Sequence, residues 1–124
     1  MMKTCNTNQI EFLWIANILF SKECQSEIGC CVYIYPNMTF IYNEYGFCSY
    51  RQYCGVYYFD YGYILPQYRG HGEYKRIFQE REIKCGGKLC RIETRNPILK
   101  TFLLKNNYEI TKTNGSWTFF QKYL

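Results

Sequence analysis

Apolar residues recur along the chain at two spacings, and the switches between them mark out its elements. Ile10, Leu13, Trp14, Ile18 and Leu19 fall at helical spacing and predict a first helix over residues 9–23 with a wide buried stripe. After Gly29 the spacing shortens to two. Residues 31–35 and 38–42 are β-branched and aromatic and flank Pro36-Asn37, which predicts an antiparallel hairpin. Residues 43–55, with Gly46 and Gly55, read as a connection bordering a substrate site. Residues 56–65 then form a long strand, with Tyr58, Asp60, Gly62 and Ile64 on one face and Tyr57, Phe59, Tyr61, Tyr63 and Leu65 on the other. Its interruption at Gly62 is where a bulge, or close backbone approach by a ligand, is expected.

Pro66-Gln67-Tyr68-Arg69-Gly70-His71-Gly72 breaks this strand and opens a helix over residues 73–84 that buries Ile77, Phe78 and Ile83 and stops at Cys85-Gly86-Gly87. Residues 88–94 alternate as a strand. Because it follows strand, turn and helix, it is expected to lie parallel to 56–65 through a right-handed crossover. Asn96-Pro97 starts a last helix ending at Asn106-Asn107, and a hairpin around Asn114-Gly115 closes the chain. No repeat or linker interrupts this order, so residues 1–124 read as one mixed α+β domain.

Composition agrees with a folded, strand-rich protein: the chain is 48% hydrophobic and 20% aromatic, which excludes disorder. Charge adds a direction. Residues 1–65 carry three basic and five acidic side chains, whereas residues 66–124 carry twelve and five, so the positive field surrounds the glycine turn. Such a field suits an anionic ligand, a phosphorylated cofactor or nucleic acid, or is simply a solvated basic face. The eight cysteines raise the disulfide question. Glu11 and Asn17 interrupt the only N-terminal apolar run, which argues against a secretory signal, and no run approaches the ~20 apolar residues that span a bilayer. The expectation is therefore a cytoplasmic chain without a membrane partner, its cysteines serving as small buried hydrophobes. Neither the spacings (Cys30-Cys31, Cys24 to Cys30, Cys48 to Cys54, Cys85 to Cys90) nor the one histidine supports zinc.

The glycine turn carries the candidate chemistry. Unpaired N–H groups at a helix start, with Gly70 and Gly72 removing side chains, make a cradle for a pyrophosphate, and Arg69 adds a charged donor. Asp60 is the lone acid on the strand before it, a base candidate or else a salt-bridged or solvent-facing residue. Asn96 orders a ligand or a water, or caps its helix. His71 reads as an exposed loop residue or phosphate neighbour.

Taken together, the order of elements and two motifs resemble the GCN5-related N-acetyltransferase (GNAT) superfamily over residues 30–120. Arg69-Gly70-His71-Gly72-Glu73-Tyr74 is similar to the family's Arg/Gln-x-x-Gly-x-Gly/Ala motif, with Tyr74 in place of the last small residue. Asn96-Pro97-Ile98-Leu99, continuing to Asn107-Tyr108, is similar to its Asn-x-x-Ala helix. The resemblance implies a central, mostly antiparallel mixed sheet with a splayed parallel pair, and acetyl transfer from acetyl-CoA to an amine. The acceptor is a small molecule or a protein, and a homodimer is compatible with this reading. It implies that the pantetheine arm pairs with backbone of 56–65, and that the pyrophosphate rests on N–H groups of Gly70, His71, Gly72, Glu73 and Tyr74. An N–H near Ile64 or Leu65 then holds the oxyanion. Many members place a tyrosine seven residues after the asparagine as the acid; this chain has Leu103, which leaves Tyr68 or water to act. The alternatives are a CoA- or protein-binding module without turnover and, with less support, a nucleic-acid binder.

Overall fold

The computed structural model describes residues 2–29 and 31–124. Cys30, and with it the Cys30-Cys31 and Cys24-to-Cys30 spacings, lies outside the described residues. The elements in order are β1 (Lys3–Asn6), α1 (Phe12–Leu19), α2 (Lys22–Ile28), β2 (Thr39–Asn43), β3 (Gly46–Tyr53), β4 (Val56–Tyr58), β5 (Gly62–Ile64), a 3-10 turn (Pro66–Tyr68), α3 (Glu73–Lys84), β6 (Leu89–Thr94), α4 (Pro97–Lys105), β7 (Glu109–Asn114) and β8 (Trp117–Tyr123). The sheet runs β1-β2-β3-β4-β6-β8-β7, with β5 paired to β3 off this path. Every strand pair is antiparallel except β4 with β6, as the crossover rule requires. Helices cover both faces. Ile15 and Leu19 of α1 and Cys24 of α2 pack with Phe40, Phe47, Tyr61 and Tyr63 on one side. On the other, Phe78 of α3 and Leu103 of α4 pack with Phe59, Cys90, Ile92, Tyr108 and Phe120.

Four expectations are corrected. Residues 31–35 are not a strand; β2 pairs instead with β1 and β3, and β3 runs through the segment read as a connection. Its polar residues Ser49, Arg51 and Gln52 hid a strand whose first half is buried on both sides. The first helix divides at Phe20-Ser21, where the Ser21 side chain accepts from Cys24 N–H and starts α2. Leu13 and Ile10 face outward, and Ile15 takes the inner position. On α3, Ile83 is 72% exposed while Arg81 is buried.

The fourth correction concerns the long strand. It is broken over Phe59, Asp60 and Tyr61, and the break reverses its faces: Tyr57 and Phe59 join the α3/α4 layer, but Tyr61 and Tyr63 join the α1/α2 layer. Strict alternation would hold all four on one side. The break also changes partners. β3 pairs with β4 through Arg51–Tyr53 and with β5 through Gly46–Cys48, leaving the second half of β6 without a neighbour on its β4 side. Close approach of β5 explains Gly46, where a Cβ would lie 2.1 Å from the Tyr63 carbonyl oxygen.

Candidate active site

A groove of about 680 Å³ opens where β4 and β6 part, lined by Phe59–Ile64 of the break and β5, Ile92–Thr94 of β6, the glycine turn, and α3 and α4. Its walls follow from strand geometry. The last bond of the parallel ladder is Phe59 N–H to the Arg91 carbonyl, 3.0 Å. Beyond it, Tyr61 O accepts from Ser49 N–H (2.8 Å) and Leu65 N–H donates to Tyr45 O (2.9 Å), so odd-numbered residues face β3. Alternation turns the N–H and C=O groups of Gly62 and Ile64 the other way, into the groove. Of the two expected oxyanion donors, Leu65 N–H is thus committed to β3.

At the groove's mouth, Gly70 (φ +87°) and Gly72 (φ +79°) adopt left-handed backbone, and a Cβ at either would meet nothing within 4 Å. Gly72 is the N-cap of α3 with no side-chain cap, and the first helical bond is Arg76 N–H to Gly72 O. The preceding N–H groups of the first turn therefore have no partner inside the helix. Glu73 pairs with Arg76, and His71 is exposed beside the turn. Arg69 does not point at this cradle. Its Nη atoms hold both carboxylate oxygens of Glu27 on α2 (3.0 and 2.5 Å), and its Nε donates to Ile64 O (2.9 Å). The hydrogen bonding from Arg69 to Glu27 holds the Glu27 carboxyl below its ordinary value.

The inner end carries the other groups. Asp60 pairs with Arg51 (Nε to Oδ2, 2.7 Å), whose guanidinium also lies 3.9 Å from the Tyr35 ring centre. Across the groove, Glu93 of β6 is an exposed carboxylate with no ion pair among the described residues, a candidate that sequence reading missed. Its signal was the alternation of residues 88–94, which sets Glu93 opposite in phase to the buried Ile92. Tyr68 stands at the mouth in the 3-10 turn, its ring 4.9 Å from Tyr45, with β5 between it and Asp60 in the chain. Asn96 caps α4, accepting from Ile98 N–H (2.9 Å) and Leu99 N–H (3.3 Å). The Tyr74 ring turns into the groove and rests on Gly62, its hydroxyl 3.4 Å from where a Cβ would stand. Burial raises its pKa.

No family profile matches the chain, and no curated protein does. Solved structures do. The PaiA N-acetyltransferase of Thermoplasma acidophilum, in complex with coenzyme A, superimposes with a TM-score of 0.65 at 16% identity, covering 100% of this chain and 99% of that one. The ribosomal-protein-S18-alanine N-acetyltransferase of Escherichia coli gives 0.66 at 10% identity, with 98% and 92% covered. N-acetylglutamate synthase of Neisseria gonorrhoeae, complexed with coenzyme A and N-acetyl-glutamate, gives 0.72 at 10% identity over 98% of this chain and 35% of that one. This is the GNAT fold. The expected mostly antiparallel sheet and splayed parallel pair are both present. Leu103, seven residues after Asn96, is fully buried in the cluster that holds Phe59 and Phe78. The nearby Tyr108 hydroxyl is spent on Glu82 (2.7 Å).

Proposed function

We propose that the chain is an acetyl-CoA-dependent N-acetyltransferase acting on a primary amine of a small molecule or protein. The observation that carries this reading is continuity. A strand edge that turns the backbone groups of Gly62 and the N–H of Ile64 toward the groove leads directly to a side-chain-free, uncapped helix start at Gly72. The first suits an amide-bearing arm and the second a pyrophosphate, so the residues present fit the cofactor. When bound, acetyl-CoA supplies an activated acyl carbon with a thiolate leaving group. Gly70, His71, Gly72, Glu73 and Tyr74 contribute backbone N–H groups to the pyrophosphate, and Ile64 and Gly62 pair with the arm. Arg69 shapes the turn by joining it to α2 and β5 rather than by touching phosphate. An amine with a pKa near ~10.4 must lose a proton, and Glu93 is the better-placed base because Asp60 is engaged by Arg51.

The test is thermal unfolding with acetyl-CoA. At about one hundred times the dissociation constant, the ligand adds roughly 2.7 kcal/mol, several degrees for a domain of this size. Gly72→Asp, which places a carboxylate in the cradle, should abolish the shift. No shift at millimolar acetyl-CoA would sink the proposal. A second reading, a CoA-binding module without turnover, is favoured by Leu103, a side chain that cannot donate a proton. Thermal shift without thiol release across a panel of amines would select it.

A further inference from the structure

We infer that Arg81 is the charge partner of the leaving thiolate, so that sulfur departs as an anion and no proton donor is needed; the inference rests on the acyltransferase reading above. Arg81 is 3% exposed and lines the groove, its guanidinium between the rings of Phe59 (4.1 Å) and Phe78 (4.7 Å). Both of its hydrogen bonds come from Nη1, to the carbonyls of Ser49 (3.0 Å) and Tyr61 (2.9 Å), and Nε is buried with no partner. Tying two carbonyls across the break accounts for Nη1. It does not account for Nε or for a full positive charge held among aromatic rings, which is costly unless an anion shares the site.

Among the described residues no carboxylate compensates it. The groove's own acids are engaged elsewhere: Glu27 by Arg69, Asp60 by Arg51 and Glu73 by Arg76, while Glu93 is exposed on β6. On α3, Glu82 is held by Tyr108 and Lys122, and Glu80 lines a separate cavity beside β1. The titratable groups within its field are Cys48 of β3, Tyr74 of α3, Cys85 at the C-terminal end of α3 and Cys90 of β6. Burial pushes the three thiols up to about 11, 12 and 11 and raises Tyr74, so all stay neutral at pH 7. The charge is therefore left for a ligand. Arg81 lies nine residues past Gly72, about 13 Å along the helix. It stands abreast of Tyr61, where the strands part, at the end of the groove opposite the pyrophosphate cradle. An arm anchored at Gly72 and running back along β5 brings its sulfur to this cation.

In the transfer, the amine lone pair forms the C–N bond and the C–S bond breaks with its electron pair leaving on sulfur. The amine proton passes to Glu93 or water. Arg81 lowers the free energy of the anion formed, which is what a tyrosine at position 103 would otherwise do by protonation.

The deciding measurement is the ionisation of coenzyme A bound to the intact protein, followed by thiolate ultraviolet absorbance against pH with the protein-alone signal subtracted. The bound thiol should ionise about one pH unit or more below the ordinary thiol value of ~8.5. Arg81→Met should remove the shift and Arg81→Lys should keep part of it. If coenzyme A binds, as judged by thermal shift, but its thiol ionises at or above the free value, the assignment is overturned. A shift that survives Arg81→Met overturns it too. Absence of any thermal shift would instead overturn the acyltransferase reading and this assignment together, so the two failures are told apart. The wild-type titration decides the matter even where neither variant folds.

Discussion

Two carboxylates on facing walls of one groove differ in what they are free to do. Asp60 holds Arg51 at 2.7 Å, whereas Glu93 has no ion pair among the described residues. Glu93→Gln is therefore expected to lower turnover by about tenfold or more at neutral pH while leaving the acetyl-CoA thermal shift unchanged, a comparison of rate against melting temperature. Asp60→Asn is expected to act mainly on folding, costing roughly 1–3 kcal/mol and several degrees in the same melting assay. The sequence named Asp60 because it is the lone acid of its strand, but the pairing with Arg51 depends on the β3–β4 register, which local pattern does not encode. Arg81 was invisible for a related reason. Periodicity assigns arginine to solvent and isoleucine to the core, and on α3 the Ser49 and Tyr61 carbonyls at the strand break, both of which accept from Arg81, reversed that choice for Arg81 and Ile83. By contrast, the cradle was legible residue by residue, since Gly70 and Gly72 are there for backbone reasons that travel with the sequence.

Elements built from local signals came out as read: α3, β6, α4 and the Asn114-Gly115 hairpin keep their expected places, and Asn107 takes the left-handed backbone (φ +67°) expected of the α4 cap. Those requiring a distant partner did not: β1 and β3 went unread, and β2, a strand as expected from residues 38–42, pairs with them rather than with residues 31–35. α2 lies between these cases, with no apolar periodicity but with Ser21 and Gly29 (φ +76°) as readable caps. That short helix matters because its Glu27 reaches the glycine turn through Arg69. Arg69 holds the Glu27 carboxyl below its ordinary value of 4.5, so the contact contributes stability that is present above that value and lost as pH falls through the lower, folded one. Melting temperature should therefore fall more steeply below about pH 4.5 for the wild type than for Glu27→Gln, and parallel curves would contradict the linkage.

For the molecule as a whole, the buried thiols offer a reporter. Cys5, Cys24, Cys48, Cys85 and Cys90 are buried, while Cys31 and Cys54 are exposed. Of these, only the exposed pair should react with a thiol reagent under native conditions, and the others should follow at the rate of opening, read by mass spectrometry. Cysteines from both layers should then appear together. The reason lies in the strand break at Asp60, where one short stretch of chain gives Tyr57 and Phe59 to the layer under α3 and α4 and Tyr61 and Tyr63 to the layer under α1 and α2. A segment rooted in both layers works as a rivet. Neither half of the protein can loosen without drawing the same segment, residues 57–63, out of the other, so heat should melt it in one transition whose calorimetric and van't Hoff enthalpies agree.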